Sequence, residues 1–243
     1  AVAGFIVFGR FINAQALAGG GLVPLSATVG ELWSHVGYGW RDIGAGFTGA
    51  ADPFAYVLAV LGTVTFWNPS FSVVLIYLLA LPLAALTAWL CAARFSTRGW
   101  GPAVAAIAWT AAPPFLVSLG EGQLGAVIAH ILLPALVLAV VSAARSWAAA
   151  AGAALLFAVV AASAPVLVPA LVLLLLVWMA ARPTSIHRLV GIVIPAAALF
   201  APLVVQQLGR GNWLALFATP GHPVISGTPS GLQLAIGSPS GGL

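Results

Sequence analysis

Three of the chain's four acids, Glu31, Asp42 and Asp52, fall within one short stretch near its beginning. A carboxylate at a water-facing surface can take a proton from a hydroxyl as a general base, and it can also bind a divalent cation. Asp42 and Asp52 are therefore the catalytic candidates. Arg41 adjoins Asp42, and a guanidinium grips phosphate through parallel N–H donors. Arg41, its neighbour Trp40 and Glu31 are candidates for holding a substrate. Plainer readings stand beside these. Arg41 and Asp42 could be a local ion pair, Glu31 a solvated surface acid, and Asp52, ahead of Pro53, a helix N-cap.

The fourth acid, Glu121, lies in SLGEGQLG, and His130 follows in GAVIAHILLPALVLA. Both join the substrate-binding candidates. Glu121 is expected to open a helix, where the dipole favours an acid. His130 lies deeper in the same apolar segment, and ionisable groups inside a membrane are functional suspects. On one continuous helix the two would point to opposite faces, so they cannot act as one acid–base pair. Pro134, four residues on, frees the His130 carbonyl from its helical partner. The ring is expected to face the bundle and to bond a polar group on another helix, with Thr110 or Ser163 as partners.

Other chemistries are missing their signatures. There is no P-loop, no GxGxxG in strand–helix context, no HExxH, no GxSxG elbow and no paired acids of DxD type. The lone cysteine, Cys91, allows no disulfide within the chain and no cysteine metal site. No metal site is expected, and no cofactor other than a divalent cation at an acid. The eight basic residues are all Arg, scattered singly rather than in a stripe, which argues against nucleic acid as a partner.

The elements that must position these groups are apolar. The chain is 62% hydrophobic and 5% charged, with a mean hydropathy of +1.13. Soluble domains carry roughly 25% charged residues, so bilayer hydrocarbon is the solvent that suits this one. The expected fold is all-α, a polytopic transmembrane helix bundle with a long extracytoplasmic loop near the N-terminus. Residues 1–8 read as the end of a truncated helix. Residues 9–69 read as the outer loop, with a short amphipathic helix around Ser26–His35 and an interfacial or re-entrant helix over Pro53–Trp67. Residues 70–206 form the bundle and 207–243 a second, truncated outer loop. Within the bundle the spans are Ser70–Ala92, Gly101–Ser118, Gly122–Val141, a pair over 148–181 divided at Ser163-Ala164-Pro165, and Leu189–Gln206. The pair is either two short spans or one kinked one.

Charge sets an orientation. Arg94, Arg98, Arg145, Arg182 and Arg188 all fall on one face if these spans alternate, and basic loops mark the cytoplasm. Glu31, Asp42, Asp52 and Glu121 then all fall on the other face, which locates the chemistry outside.

Two stretches carry a resemblance. LAGGGLVPL, followed by LWSHVGYGWRDIGAGFTGAADPFAYVLAVLG, and then GPAVAAIAWTAAPPFLVSLGEGQLGAVIAHILLPALVLA resemble the membrane region of large actinobacterial cell-envelope glycosyltransferases, in which a family 2 transferase domain often precedes that region. The G-x-L-G-A segment and the following H-x-x-L-P are also similar to GT-C-type glycosyltransferases. The resemblance is best over residues 17–143, and the tail HPVISGTPSGLQLAIGSPS looks like the same family's outer loop. It implies transfer of sugar from a polyprenyl-phosphate donor to a glycan acceptor, in contact with membrane lipids, with an essential acid in the first outer loop. Asp42 or Asp52 could match that acid by position. The alternative is a non-catalytic anchor, or a module that passes a lipid-linked glycan across the bilayer.

Overall fold

A computed structural model describes residues 14, 16–41, 47–211, 213–218 and 220. The protein is mostly helical, with one small antiparallel ribbon. Ten α-helices are described: α1 (Val29–Ser34), α2 (Phe54–Val64), α3 (Pro69–Phe95), α4 (Gly101–Thr110), α5 (Pro113–Gly120), α6 (Leu124–Ala143), α7 (Trp147–Ser163), α8 (Val168–Ala181), α9 (Ile186–Val190) and α10 (Ile194–Gly209). The ribbon pairs β1 (Tyr38–Arg41) with β2 (Phe47–Ala50).

Two helices, α3 and α6, are each long and apolar enough to cross a membrane. The number rises to five if three bent pairs each count as one span: α4 with α5, α7 with α8, and the segment carrying α9 with α10. Proline accounts for the bends. It lacks the N–H that the carbonyl four residues back requires, and its ring crowds that turn. Pro113-Pro114 bends the expected Gly101–Ser118 span by 40°. Pro195 stands four residues after Gly191, where the expected Leu189–Gln206 span turns by 46°. At Ser163-Ala164-Pro165 the change of direction is 117°. The 148–181 segment is therefore a folded-back pair rather than one kinked rod.

Packing is built on small side chains. Helix α7 presents Ala150, Ala153, Ala158 and Ala161 to a core shared with Ala129, Leu136 and Ala143 of α6. Such faces let backbones approach closely where the solvent outside is as apolar as the core. A second core joins Val73, Tyr77 and Ala84 of α3 to Phe115 and Val127. The exterior is also apolar. In α8 only Leu175 is buried, while Leu173 and Leu174 are 62% and 65% exposed. An exposed surface of this kind on a water-facing domain would be an aggregation liability.

The region before α3 is more structured than a loop. Helix α1 starts at a capping box, in which Thr28 Oγ1 accepts from the Glu31 N–H and the Glu31 carboxylate accepts from the Thr28 N–H. The ribbon is the element missing from an all-α expectation. Its strands, YGWR and FTGA, supply aromatic and β-branched residues that favour extended chain. They are too short to show alternation against a glycine-rich background. The ribbon is tied down where the Ala50 N–H donates to Gln206 Oε1 of α10 at 2.8 Å. Helix α2 has 11 residues, or about 16 Å of length, which is too short to cross a bilayer.

Candidate functional site

One end of the bundle encloses a cavity of about 860 Å³. Its walls come from a strap over Gly21–Leu25, the start of α2, helix α5, the first half of α6 and the α7–α8 break. Volumes of roughly 300–1,000 Å³ suit a small ligand or part of a larger one. Most of the lining is apolar, but Asp52, Glu121, Gln123 and His130 all reach it.

The strap is held at both ends. It turns at Gly19 and Gly20, both with positive φ, and the Gly21 N–H donates to the Glu121 carbonyl at 2.9 Å. Further along, Ser70 Oγ accepts from the Leu25 N–H at 3.1 Å and bonds the Leu25 carbonyl at 3.3 Å. Gly20 sits so close to the Glu121 carbonyl that a Cβ there would collide with it. Facing it, Gly122 has φ +73° and lies against the Gly19 carbonyl. Glycine is required at both positions, since neither the conformation nor the gap admits a side chain.

Asp52 lies just ahead of α2, and its carboxylate accepts from the Phe54 N–H at 2.9 Å. The N-cap position itself is Pro53 rather than Asp52, and Asp52, one residue earlier, bonds the first turn and reaches the cavity wall. Glu121 differs from expectation. It is the C-cap residue of α5, in a turn that precedes α6, whose first helical residue is Leu124. Gly122 breaks the helical path there. The argument that Glu121 and His130 must face apart therefore does not apply, and both line the same cavity. The Glu121 carboxylate accepts from Gln123 Nε2 at 2.6 Å.

His130 is held by neighbours that sequence reasoning did not name. Its Nε2 bonds the Trp109 carbonyl at 3.0 Å, and Trp109 Nε1 donates to the His130 carbonyl at 3.1 Å. The imidazole is stacked between the Trp109 and Phe115 rings, 4.3 Å from each centroid. Pro134 removes the helical donor of the His130 carbonyl, and Trp109 Nε1 supplies one in its place. The Trp109 carbonyl accepts from the Ala112 N–H at 3.3 Å as well as from the histidine, whose Nε2 is then the protonated nitrogen. The expected partners do other things. Thr110 Oγ1 bonds back to the Ala106 carbonyl, and the buried Ser163 Oγ has no partner. The signal in the sequence was Pro134, which leaves the His130 carbonyl in need of a donor from another helix.

The remaining candidates lie apart from this cavity or outside the described residues. Glu31 is exposed and committed to its capping box. Trp40 and Arg41 are in β1, with backbones paired to Thr48 and Phe47. Asp42 lies outside the described residues. Arg41 is paired at the end of the ribbon opposite Asp52, about 17 Å of extended chain away. Among the described residues no three His, Cys, Asp or Glu side chains gather to hold a metal ion.

No protein-family model, no curated protein and no solved structure matches the chain.

Proposed function

We propose that this chain is the membrane-embedded part of a glycosyltransferase for cell-envelope polysaccharide or glycolipid, drawing sugar from a polyprenyl-phosphate donor. The observation that carries the reading is the cavity. It combines two carboxylates and an amide with mostly apolar walls, the mixture that a sugar headgroup on a hydrocarbon chain requires. The arginine-bearing end faces the cytoplasm by the positive-inside rule, and the cavity opens toward the outer side of a multi-pass bundle.

The chemistry asks little of the protein. Asp52 takes the proton of an acceptor hydroxyl. The hydroxyl oxygen forms a bond to the anomeric carbon, and the bond from that carbon to the phosphate oxygen breaks. Polyprenyl phosphate departs with the electron pair and needs no proton to leave, so one base suffices. Glu121 and Gln123 orient sugar hydroxyls, while His130 and Phe115 set the shape of the wall.

Asp52→Asn tests the assignment cleanly, because asparagine caps a helix as well as aspartate does but cannot act as a base. In the full-length protein, sugar incorporation should fall by about 10²–10⁴-fold at unchanged abundance. Normal turnover by Asp52→Asn and by Glu121→Gln would leave the cavity without a catalytic acid and favour the anchor or translocation role.

A further inference from the structure

The opposite end of the bundle holds a second cavity, of about 330 Å³. It is lined by Arg94 and Phe95 at the end of α3, Val141 near the end of α6 and Arg145 in the turn after it, and Trp178 and Arg182 at the end of α8. Three of the eight arginines in the chain thus converge on one hollow from three separate segments. The described acids are engaged elsewhere: Glu31 at its capping box, Asp52 at the start of α2 and Glu121 with Gln123. Like charges brought together without a counter-charge repel one another, so their gathering calls for an anion.

Two further details point the same way. Trp178 Nε1 is buried without a hydrogen-bond partner among the described residues, an N–H donor on a residue of the cavity wall. An unmet buried donor is costly and calls for an acceptor. The Arg182 guanidinium lies over the Trp178 ring, 5.5 Å from its centroid, a placement that restrains the fork for planar, paired contact with oxygens.

We infer that this cavity binds a phosphate group, with Arg94, Arg145 and Arg182 as its charged clamp and Trp178 as an additional donor. Phosphate oxygens accept paired N–H bonds from arginine. The site sits where three apolar helices end, at the depth of lipid headgroups, and basic hollows between spans on the cytoplasmic side are suited to anionic headgroups. The same chemistry would admit a soluble phosphate ester from the water phase. The inference stands independently of the glycosyltransferase reading, since it uses none of the residues around Asp52.

The test is thermal unfolding of the purified full-length protein in a neutral detergent. The additions are phosphatidylglycerol, phosphatidylcholine, glycerol phosphate or inorganic phosphate, each titrated over the wild type, Arg145→Gln, Arg182→Gln and the double variant. Stabilisation by phosphatidylglycerol but not by phosphatidylcholine, weakened about fivefold for each arginine removed, supports the site with a lipid ligand. Equal stabilisation by glycerol phosphate or inorganic phosphate, lost in the same variants, supports the site with a soluble ligand. Both arginines are exposed, so their replacement leaves the cores intact. Arg182→Lys gives a second check, since it keeps the charge and loses the fork and should bind more weakly than wild type. No stabilisation by any phosphate compound, or stabilisation that the double variant retains in full, overturns the inference.

Discussion

Trp109→Phe isolates one hydrogen bond with little change in shape. The ring remains against His130, but the Nε1–H that meets the His130 carbonyl at 3.1 Å is gone. That carbonyl has no helical donor, because residue 134 is proline. Hydrogen bonds between membrane helices contribute about 0.6 kcal/mol on average and up to about 1.7, whereas an orphaned buried carbonyl costs about 1–3 kcal/mol. The orphan term dominates, so Trp109→Phe should destabilise the protein by about 1–2 kcal/mol. Pro134→Ala restores an N–H at the position the carbonyl needs. In that background Trp109→Phe should cost only the packing difference, under about 0.5 kcal/mol, leaving a coupling energy of about 1 kcal/mol. The assay is reversible unfolding in mixed micelles for the four proteins of the cycle. Additivity within about 0.3–0.5 kcal/mol would show that the two sites act independently and would refute the view that Pro134 creates the need that Trp109 meets.

Other outcomes follow from the same geometry. His130→Ala should lower stability by about 2 kcal/mol through loss of its stacking and of the Trp109 bond. Activity per folded molecule should stay near normal, and a collapse of activity at normal abundance would put His130 in the reaction itself. Gly20→Ala should release the strap from the Glu121 turn, through both the left-handed strain of about 1–2 kcal/mol and the collision with that carbonyl; faster proteolysis between Gly19 and Leu25 would report it. With Cys91→Ala, a cysteine placed at Ser96 should react with an impermeant thiol reagent only after cells are opened, and labelling of intact cells would invert the orientation.

The long apolar segments were legible because composition alone determines where about 20 residues can cross hydrocarbon. The expected Ser70–Ala92 and Gly122–Val141 spans lie within or close to Pro69–Phe95 and Leu124–Ala143. The bends were legible only in part, and the expected Gly101–Ser118 span did not anticipate the 40° turn at Pro113-Pro114. Glu121 was misplaced because an acid ahead of an apolar run signals a helix start, whereas a positive-φ glycine at 122 delays that start. The ribbon escaped because its strands are four residues each and the bond that ties it to the bundle comes from distant Gln206. In the candidate site, Asp52 and His130 could be named from residue type, but the exchange with Trp109 joins two different helices and no local pattern shows it. Ser185 and Arg188 illustrate what no local pattern reveals. Both donate to the Ala144 carbonyl, at 3.0 Å each, across more than forty residues of chain.

The fold-back at Ser163-Ala164-Pro165 also bears on the lipid around the protein. Helix α7 has 17 residues and α8 has 14, or about 25 Å and 21 Å of axial length, against hydrocarbon roughly 30 Å thick. In a bilayer, neither leg matches the thickness of the leaflets beside it. Acyl chains there must shorten or splay, at fractions of a kcal/mol for each ångström of mismatch. Legs of that length, lying across a bilayer, would compress the annular lipid on the flank that also borders the α7–α8 break and its cavity. A thicker bilayer would press harder on that flank, and host membranes of graded acyl length should change the protein's stability in proportion.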